Sequence, residues 1–272
     1  MPSRAKRGLS AGPADPPSPR VRVLPDLPTL AEAAADEVVR ALGAALAARG
    51  TASLVLSGGS TPRPVYRLLG SPPRREAVDW GAVRVFWGDE RAVPPDHPES
   101  NFRSAREELL SRVPLAEGSV HRIAGELPPE EAAAEYEAAL RAALGEELAF
   151  DLVLLGLGAD GHTASLFPGD DAGEGRTAPG RAVVAASAPE APRRRVTLTY
   201  DALAAAREVL FLVAGEGKAE AVARALAPGA GGEGGGRPGG SLPPAARVRP
   251  RSGRVLWLLD AGAASRLLEA AR

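Results

Sequence analysis

The residues best suited to chemistry near neutral pH are Asp160 and His162. They lie in the segment Gly156-Leu-Gly-Ala-Asp-Gly-His162-Thr-Ala-Ser-Leu-Phe-Pro168. An imidazole exchanges protons near pH 7, and a nearby carboxylate can orient it. The segment follows an apolar run over residues 150–157, which predicts a fully buried strand. Because open α/β folds place their chemistry where parallel strands end, we expect a site here.

Two further histidines, His97 and His121, are available as metal ligands. His97 lies in a proline-rich loop, and His121 is expected to begin a short strand. Their spacing from His162 fits no known ligand pattern, and the chain contains no cysteine. We therefore expect no metal site.

The segment Ser57-Gly58-Gly59-Ser60-Thr61-Pro62 joins a predicted buried strand to a predicted helix. Glycines let the backbone approach a ligand, and free N–H groups, two hydroxyls and the helix dipole suit a phosphate. The segment matches neither a Walker A loop nor the dinucleotide fingerprint. A tight turn with Thr61 as the cap of the next helix is the alternative.

Three charged positions could complete an anion site. Asp89-Glu90-Arg91 follows another strand end, although a surface charge run would also explain it. Arg195 begins a strand, and Lys218, one of only two lysines in the chain, begins a helix. Both cations could close on a phosphate. Each in isolation could equally be a solvated surface charge.

Strand and helix patterns alternate along the chain, and several strands are continuously apolar. This favours an α/β fold with a mostly parallel, doubly wound (Rossmann-like) sheet covered by helices on both faces. The strands are expected at 21–24, 52–56, 83–87, 151–157, 182–185, 196–199, 209–213 and 255–259. The helices are expected at 29–49, capped by the box Thr29-Leu-Ala-Glu32, and at 62–70, 101–113, 129–144, 201–206, 218–226 and 263–271.

Composition excludes several classes of protein. The net charge of −1 provides no basic field for nucleic acid or acidic membranes, and no apolar run approaches membrane-spanning length. Residues 1–20 lack an apolar signal core and read as a disordered tail. Without a signal core or a membrane span in the sequence, a cytoplasmic location is the default, and the absence of cysteine excludes disulfides. The Gly-rich stretch at 228–240 is expected to be a mobile loop within a single domain over residues 21–272.

The segments together resemble the 6-phosphogluconolactonase family, within the larger glucosamine-6-phosphate isomerase/6-phosphogluconolactonase family. Seven pieces carry the resemblance in family order: Gly58-Gly-Ser-Thr-Pro62, Asp89-Glu-Arg91, Glu99-Ser-Asn101, the His162 segment, Arg195-Val-Thr-Leu198, Gly215-x-x-Lys218 and Leu256-Trp-Leu-Leu-Asp260. The resemblance implies a fold similar to that of glucosamine-6-phosphate deaminase and ribose-5-phosphate isomerase.

It also implies a reaction, the hydrolysis of 6-phospho-D-glucono-1,5-lactone to 6-phosphogluconate in the pentose phosphate pathway. On this reading the catalytic residues are His162 as general base, Asp160 as its support and Arg91 at the lactone or its oxyanion. The substrate-binding residues are Gly58, Gly59, Ser60, Thr61, Asp89, Arg195 and Lys218. No cofactor is required, the only partner is the sugar phosphate, and the chain is expected to be a monomer or a weak homo-oligomer.

Two other functions stay open at this stage. The deaminase carries a catalytic glutamate after its Asp-Gly-His loop, where this chain has Phe167. Phenylalanine cannot relay a proton, which disfavours deamination or isomerisation of a hexose phosphate. A sugar-phosphate sensor of a transcriptional regulator would need a DNA-binding module, and residues 1–20 are too short and proline-rich to supply one.

Overall fold

The structure, a computed structural model, describes residues 18–227 and 242–270. Most of the expected N-terminal tail and the whole Gly-rich stretch at 228–240 lie outside the described residues. Arg20, the last residue assigned to the tail, is already the first residue of a strand.

Within the described ranges the chain forms nine strands and eight α-helices. The strands are β1 (Arg20–Leu24), β2 (Ala52–Leu56), β3 (Val83–Trp87), β4 (Asp89–Arg91), β5 (Leu152–Leu155), β6 (Val183–Ser187), β7 (Arg194–Leu198), β8 (Glu208–Val213) and β9 (Arg254–Asp260). The helices are α1 (Leu27–Arg49), α2 (Pro62–Leu69), α3 (Asn101–Glu108), α4 (Pro129–Leu144), α5 (Tyr200–Ala204), α6 (Ala219–Ala225), α7 (Pro244–Arg247) and α8 (Ser265–Ala270).

Six strands form the main sheet, in the order β1-β9-β8-β5-β2-β3, and every neighbouring pair is parallel. Strands β2 and β5 are buried along their whole length, which explains their uninterrupted apolar sequences. The chain runs outward from β2 to β3 and then returns to the other side of β2 with β5, β8 and β9. Because parallel crossovers are right-handed, this reversal places helices on both faces. The predicted fold class is confirmed.

A second sheet was not predicted. Strands β4, β7 and β6 form a small antiparallel sheet, in that order. The segments expected at 182–185 and 196–199 are therefore strands, but they do not join the main sheet. Strand β4 is only three residues long and reads Asp-Glu-Arg, so it carries no apolar alternation that a sequence pattern could detect.

The start of α1 differs from the predicted capping box. The helix begins at Leu27, and its cap is Asp26, whose Oδ1 accepts the backbone N–H of Thr29 at 2.8 Å. The contact between Asp26 and Thr29 has the same three-residue spacing as the predicted pair Thr29 and Glu32, but it lies three residues earlier in the chain. Helix α3 also ends earlier than expected, at Glu108, and a 3-10 turn over Leu110–Arg112 follows it.

Two buried tyrosine side chains form hydrogen bonds with the backbone where β2 and β3 end. The hydroxyl of Tyr66 accepts the N–H of Ser57 at 3.0 Å and donates to its carbonyl at 2.7 Å. Tyr136 makes the same pair of bonds with the N–H and carbonyl of Trp87, at 2.8 and 2.9 Å. Burial raises the pKa of both phenols, so they stay protonated and able to donate. The loops beyond both strands thus start from fixed points.

Both sheets contribute to one hydrophobic core, with Leu54 and Val55 from the main sheet and Val196 and Leu198 from the small one. This shared core supports the proposal of one domain from residue 21 to residue 272. None of the helices in the described ranges has the length and apolar character needed to cross a lipid bilayer.

Candidate active site

A cavity of about 550 Å³ opens at the carboxyl ends of β2, β5 and β8. Strands β2 and β5 are neighbours in the sheet on either side of the point where the chain reverses its winding, which is where open α/β sheets bind ligands. All ten residues that the sequence assigned to the site line this cavity: Gly58, Gly59, Ser60, Thr61, Asp89, Arg91, Asp160, His162, Arg195 and Lys218.

The loop after β5 is held in a compact form by its own backbone. The N–H of Gly158 donates to the carbonyl of His162 at 2.8 Å, and Gly161 donates back to Gly158 at 3.0 Å. Gly161 has a φ of 95°, a conformation that residues with a Cβ rarely adopt. The Thr163 hydroxyl donates to the carbonyl of Gly156 at 2.8 Å. The imidazole is therefore presented by a fixed turn.

His162 and Asp160 are in direct contact. Nδ1 of His162 lies 2.6 Å from Oδ1 of Asp160, which also accepts the backbone N–H of His162 at 3.0 Å. Burial acts to raise the pKa of Asp160, but the hydrogen bonds from His162 outweigh it and the net pKa lies below its ordinary value of 3.8. The ionised carboxylate can only accept, so Nδ1 carries the hydrogen and Nε2 keeps its lone pair.

Two neighbours fix the position of the imidazole. A Cβ placed on Gly158 would lie 2.1 Å from Nδ1 of His162, so the ring lies directly against that glycine. The ring of Phe167 also packs against the imidazole, with the two ring centroids 4.5 Å apart. The histidine side chain keeps a third of its surface exposed toward the cavity. A base of this kind is ordered and still accessible.

The loop after β2 offers free polar groups to a ligand. Its start, Ser57, is tied to Tyr66, and α2 begins after it at Pro62. Thr61 holds the N-cap position of α2, as the alternative of a capped turn expected, but its side chain makes no capping hydrogen bond to the helix. The Ser60 and Thr61 hydroxyls make no hydrogen bond within the described part of the chain. They remain available at a helix N-terminus.

The small sheet brings three charged side chains to the cavity. Asp89 and Arg91 point to the same side of β4, because side chains alternate along a strand. Arg91 pairs with Arg195 of β7 across the sheet. Asp89 is buried, and its Oδ2 accepts the hydroxyl of Ser165 at 2.6 Å. Arg91 contacts the carbonyl of Glu99 and lies 3.6 Å from its carboxylate.

Arg195 is a buried cation that forms no ion pair in the described ranges, although the charges of Asp89, Glu90 and Glu99 are near enough to favour it. Its relative exposure is 8%, and its Nε has no hydrogen-bond acceptor. Burial and the neighbouring Arg91 guanidinium both lower the pKa of Arg195. An unpaired charge that is this buried costs folding free energy unless an anion binds beside it. The arrangement therefore has the character of an anion site.

Lys218 reaches the cavity from the loop after β8. It is the last residue of a 3-10 turn over Glu216–Lys218, and α6 begins one residue later than predicted, at Ala219. No carboxylate of the described residues pairs with it. Lys218, the loop after β2 and Arg195 thus approach the cavity from three different elements.

Sequence reasoning missed two side chains in the wall of the cavity, Asn101 and Ser165. The Nδ2 of Asn101 donates to the carbonyl of Asp89 at 2.9 Å and lies 3.3 Å from its Oδ1. Both residues belong to segments that were singled out, Glu99-Ser-Asn101 and the His162 loop. Their contacts depend on how separate loops meet, which no spacing reveals.

The remaining histidines lie elsewhere. His121 stacks on Phe86 with ring centroids 4.8 Å apart, and burial lowers its pKa. The short strand expected there is reduced to a single bridge between Val120 and Val85. His97 accepts the N–H of Glu99 at 3.1 Å. Among residues 18–227 and 242–270, no three His, Asp or Glu side chains are grouped as metal ligands.

Comparison with known proteins places the site in context. Residues 25–257 match the family model of glucosamine-6-phosphate isomerases/6-phosphogluconolactonase. The chain is 40% identical over 259 residues to the 6-phosphogluconolactonase of Mycobacterium tuberculosis, covering 92% of this chain and 99% of that one. It is 41% identical over 261 residues to that of Streptomyces coelicolor, covering 92% and 95%.

Solved structures are similar over the same extent. A 6-phosphogluconolactonase from Trypanosoma brucei superposes with a TM-score of 0.77 at 33% identity, covering 92% of this chain and 99% of that one. The corresponding values for a 6-phosphogluconolactonase from Thermotoga maritima are 0.75, 31%, 89% and 100%. A monomeric glucosamine-6-phosphate deaminase, 24% identical with a TM-score of 0.72 over 91% and 99%, shares the fold.

Proposed function

The chain belongs to the family of glucosamine-6-phosphate isomerases and 6-phosphogluconolactonases, and we propose that it hydrolyses 6-phospho-D-glucono-1,5-lactone to 6-phosphogluconate with His162 as general base. It is a lactone-hydrolysing enzyme, and the pentose phosphate pathway is the setting that this activity implies. The observation that carries the choice of base is the 2.6 Å contact between Asp160 and Nδ1 of His162.

In this scheme Nε2 of His162 takes a proton from water as the water oxygen forms a bond to the lactone carbonyl carbon. The carbonyl oxygen becomes an oxyanion, for which the Arg91 guanidinium is the candidate partner. When the intermediate collapses, the bond from the carbonyl carbon to the ring oxygen breaks. That oxygen leaves as a hydroxyl after taking a proton from the imidazolium, and the product is a carboxylic acid that ionises.

The substrate phosphate is assigned to the loop after β2, Lys218 and Arg195, which all line the cavity. Ser60 and Thr61 offer hydroxyls and backbone N–H groups at the start of α2, and Lys218 and Arg195 offer charge. The strongest support is the buried, unpaired guanidinium of Arg195, since a dianionic phosphate would supply the missing partner. Asp89, which already accepts two side-chain donors, is left to accept sugar hydroxyls.

Deamination of glucosamine 6-phosphate is disfavoured by Phe167. This residue stands where the deaminase has its catalytic glutamate, is 6% exposed and packs its ring on His162. It contributes no titratable group. A cytoplasmic location and a monomer or weak homo-oligomer stay predictions of the sequence.

The proposal is tested by assaying the purified protein with freshly prepared 6-phosphoglucono-lactone and, separately, for ammonia release from glucosamine 6-phosphate. We expect hydrolysis well above the spontaneous rate and no ammonia. His162→Ala should lower kcat by about 10²–10⁴, the usual contribution of a positioned general base. His121→Ala is the matched control and should leave kcat unchanged. A folded His162→Ala protein with wild-type kcat would exclude His162 as the base.

A further inference from the structure

Glu90 is a carboxylate that the proposed reaction does not use, yet it is 2% exposed. It lies between Asp89 and Arg91 on β4, and both of these line the cavity. Because side chains alternate along a strand, Glu90 points away from the cavity and toward α3. The charged triplet is therefore not a surface run.

The two oxygens of Glu90 accept four hydrogen bonds. Oε1 accepts the backbone N–H groups of Arg91 and Asn101, both at 2.8 Å, and Oε2 accepts the N–H of Phe102 at 2.8 Å and the hydroxyl of Ser100 at 3.1 Å. Asn101 and Phe102 are the first two residues of α3, whose N–H groups have no partner inside the helix. No cation forms an ion pair with Glu90 in the described chain. Its partners are backbone N–H groups and one hydroxyl, and Glu90 holds them in position.

The hydrogen bonds of Glu90 fix the position of Asn101 at the start of α3. On one side its amide donates to the backbone and carboxylate of Asp89. On the other, a Cβ built on Gly58 would lie 1.8 Å from Oδ1 of Asn101, so the amide packs directly on the backbone of the loop after β2. One side chain thus joins the loop assigned to phosphate to the strand that carries Asp89 and Arg91.

We propose that Glu90 is a positioning residue for the substrate site and that it acts through Asn101. By fixing the first turn of α3 against β4, Glu90 sets the distance between the loop after β2 and Asp89. The role rests on the proposed function only in the identity of the substrate, since the contacts themselves do not depend on the reaction.

Glu90→Gln tests the proposal, because the amide keeps the shape but replaces one acceptor oxygen with an NH₂ group. We expect KM for the phosphorylated lactone and Kd for 6-phosphogluconate, measured by calorimetry, each to rise about tenfold, as for the loss of a charge-assisted hydrogen bond. A reduced folded fraction lowers the apparent kcat but changes neither constant. Unchanged KM and Kd in folded Glu90→Gln protein would overturn the proposal.

Glu108→Gln is the matched control. Glu108 lies at the other end of α3, is 6% exposed, and pairs with Arg63 and Arg67 outside the cavity. This substitution should lower the melting temperature and leave KM and Kd within about twofold. An equal rise in KM for both variants would mean that any loosening of α3 disturbs the site, and the assignment to Glu90 would be wrong.

Asn101→Ala tests whether Glu90 acts through Asn101 or affects the site independently of it. Alone it should raise KM and Kd by a factor similar to that of Glu90→Gln, and it replaces that variant if Glu90→Gln does not fold. In the double variant, Glu90→Gln should add less than about twofold. Effects that multiply would contradict the proposal. A wild-type protein that binds 6-phosphogluconate without hydrolysing the lactone would refute the proposed function, and the Kd comparison would still decide the role of Glu90.

Discussion

Asp160 and His162 are joined twice, by a 2.6 Å contact from the ring Nδ1 and a 3.0 Å hydrogen bond from the backbone N–H of the histidine to the same carboxylate oxygen. The two bonds close a small ring within three residues. The acid therefore fixes the tautomer of the imidazole and, together with Gly158 and Phe167, its orientation. Residues two apart can meet in this way because Gly161 between them takes a positive φ.

Asp160→Asn should lower kcat by about 10- to 1000-fold with little change in KM. A neutral amide stabilises the imidazolium less than a carboxylate and can hold the wrong tautomer. Initial-rate kinetics with the phosphorylated lactone measures the effect. Asp171→Asn is the control, because Asp171 is exposed, pairs with Arg176 and lies outside the cavity. An Asp160→Asn enzyme with more than half the wild-type kcat would show that the acid does not support the base.

The activity should fall with decreasing pH in a single protonation step. The imidazole must be neutral to accept a proton, so acid removes the base. Asp160 adds no second step above about pH 4, because its pKa is lowered from 3.8 and it stays ionised. The profile of kcat/KM is measured with unphosphorylated gluconolactone, whose charge is constant, after subtraction of spontaneous hydrolysis. A decrease with a slope of two in the logarithmic profile above about pH 4 would contradict the proposed pair.

Replacing Arg195 by methionine should stabilise the fold but lower the activity toward the phosphorylated lactone. The wild-type guanidinium is buried without an ion pair, and an apolar side chain of similar length removes this cost, so we expect the free energy of unfolding to rise by about 1–3 kcal/mol. The kcat/KM for the phosphorylated lactone should fall. Urea unfolding gives the first quantity and initial rates give the second.

Arg194→Met is the control for that comparison. Arg194 precedes Arg195 on β7, is 65% exposed in its side chain and pairs with Glu130. Its loss should change the free energy of unfolding by less than about 0.5 kcal/mol. Inorganic phosphate should raise the melting temperature of wild-type protein more than that of Arg195→Met. A clear loss of stability in Arg195→Met would argue that Arg195 has a structural role.

Lys218→Ala should lower kcat/KM for the phosphorylated lactone by about 10- to 100-fold, since a charge-assisted hydrogen bond to phosphate contributes about 1.5–3 kcal/mol. The loss should be much smaller on gluconolactone, which has no phosphate. Comparing two enzymes on two substrates separates the phosphate contact from general damage. Equal losses on both substrates would remove Lys218 from the phosphate site.

The sequence predicted the parts of the fold that are determined by local pattern. Continuous apolar runs marked the buried strands β2 and β5, and the glycine-rich segments after them marked the sheet edge where the cavity lies. The predicted start of α3 at residue 101 is also correct, and the hydroxyl of Ser100 caps the helix there by accepting the N–H of Arg103. These features depend on residues close together in the chain.

Features that depend on how distant segments meet were missed. Strand β4 exists because it pairs with β7, more than a hundred residues later, and its polar sequence gives no sign of this. Glu90 was assigned no role and a surface charge run stayed open for its triplet, because its burial is visible only once α3 is in place. The hydroxyl of Ser165 reaches Asp89 across two loops. Each case needs the tertiary arrangement before the local sequence can be interpreted.

The two outer glycines of Gly156-Leu-Gly158 constrain evolution differently. Around Gly156, no atom lies within 4 Å of where a Cβ would be, whereas at Gly158 that space is filled by the imidazole of His162. A side chain at position 156 would meet no protein atom there and would instead face the cavity that Gly156 lines. At position 158 any added side chain would displace the imidazole, so selection for activity is expected to retain a glycine that itself takes no part in the reaction.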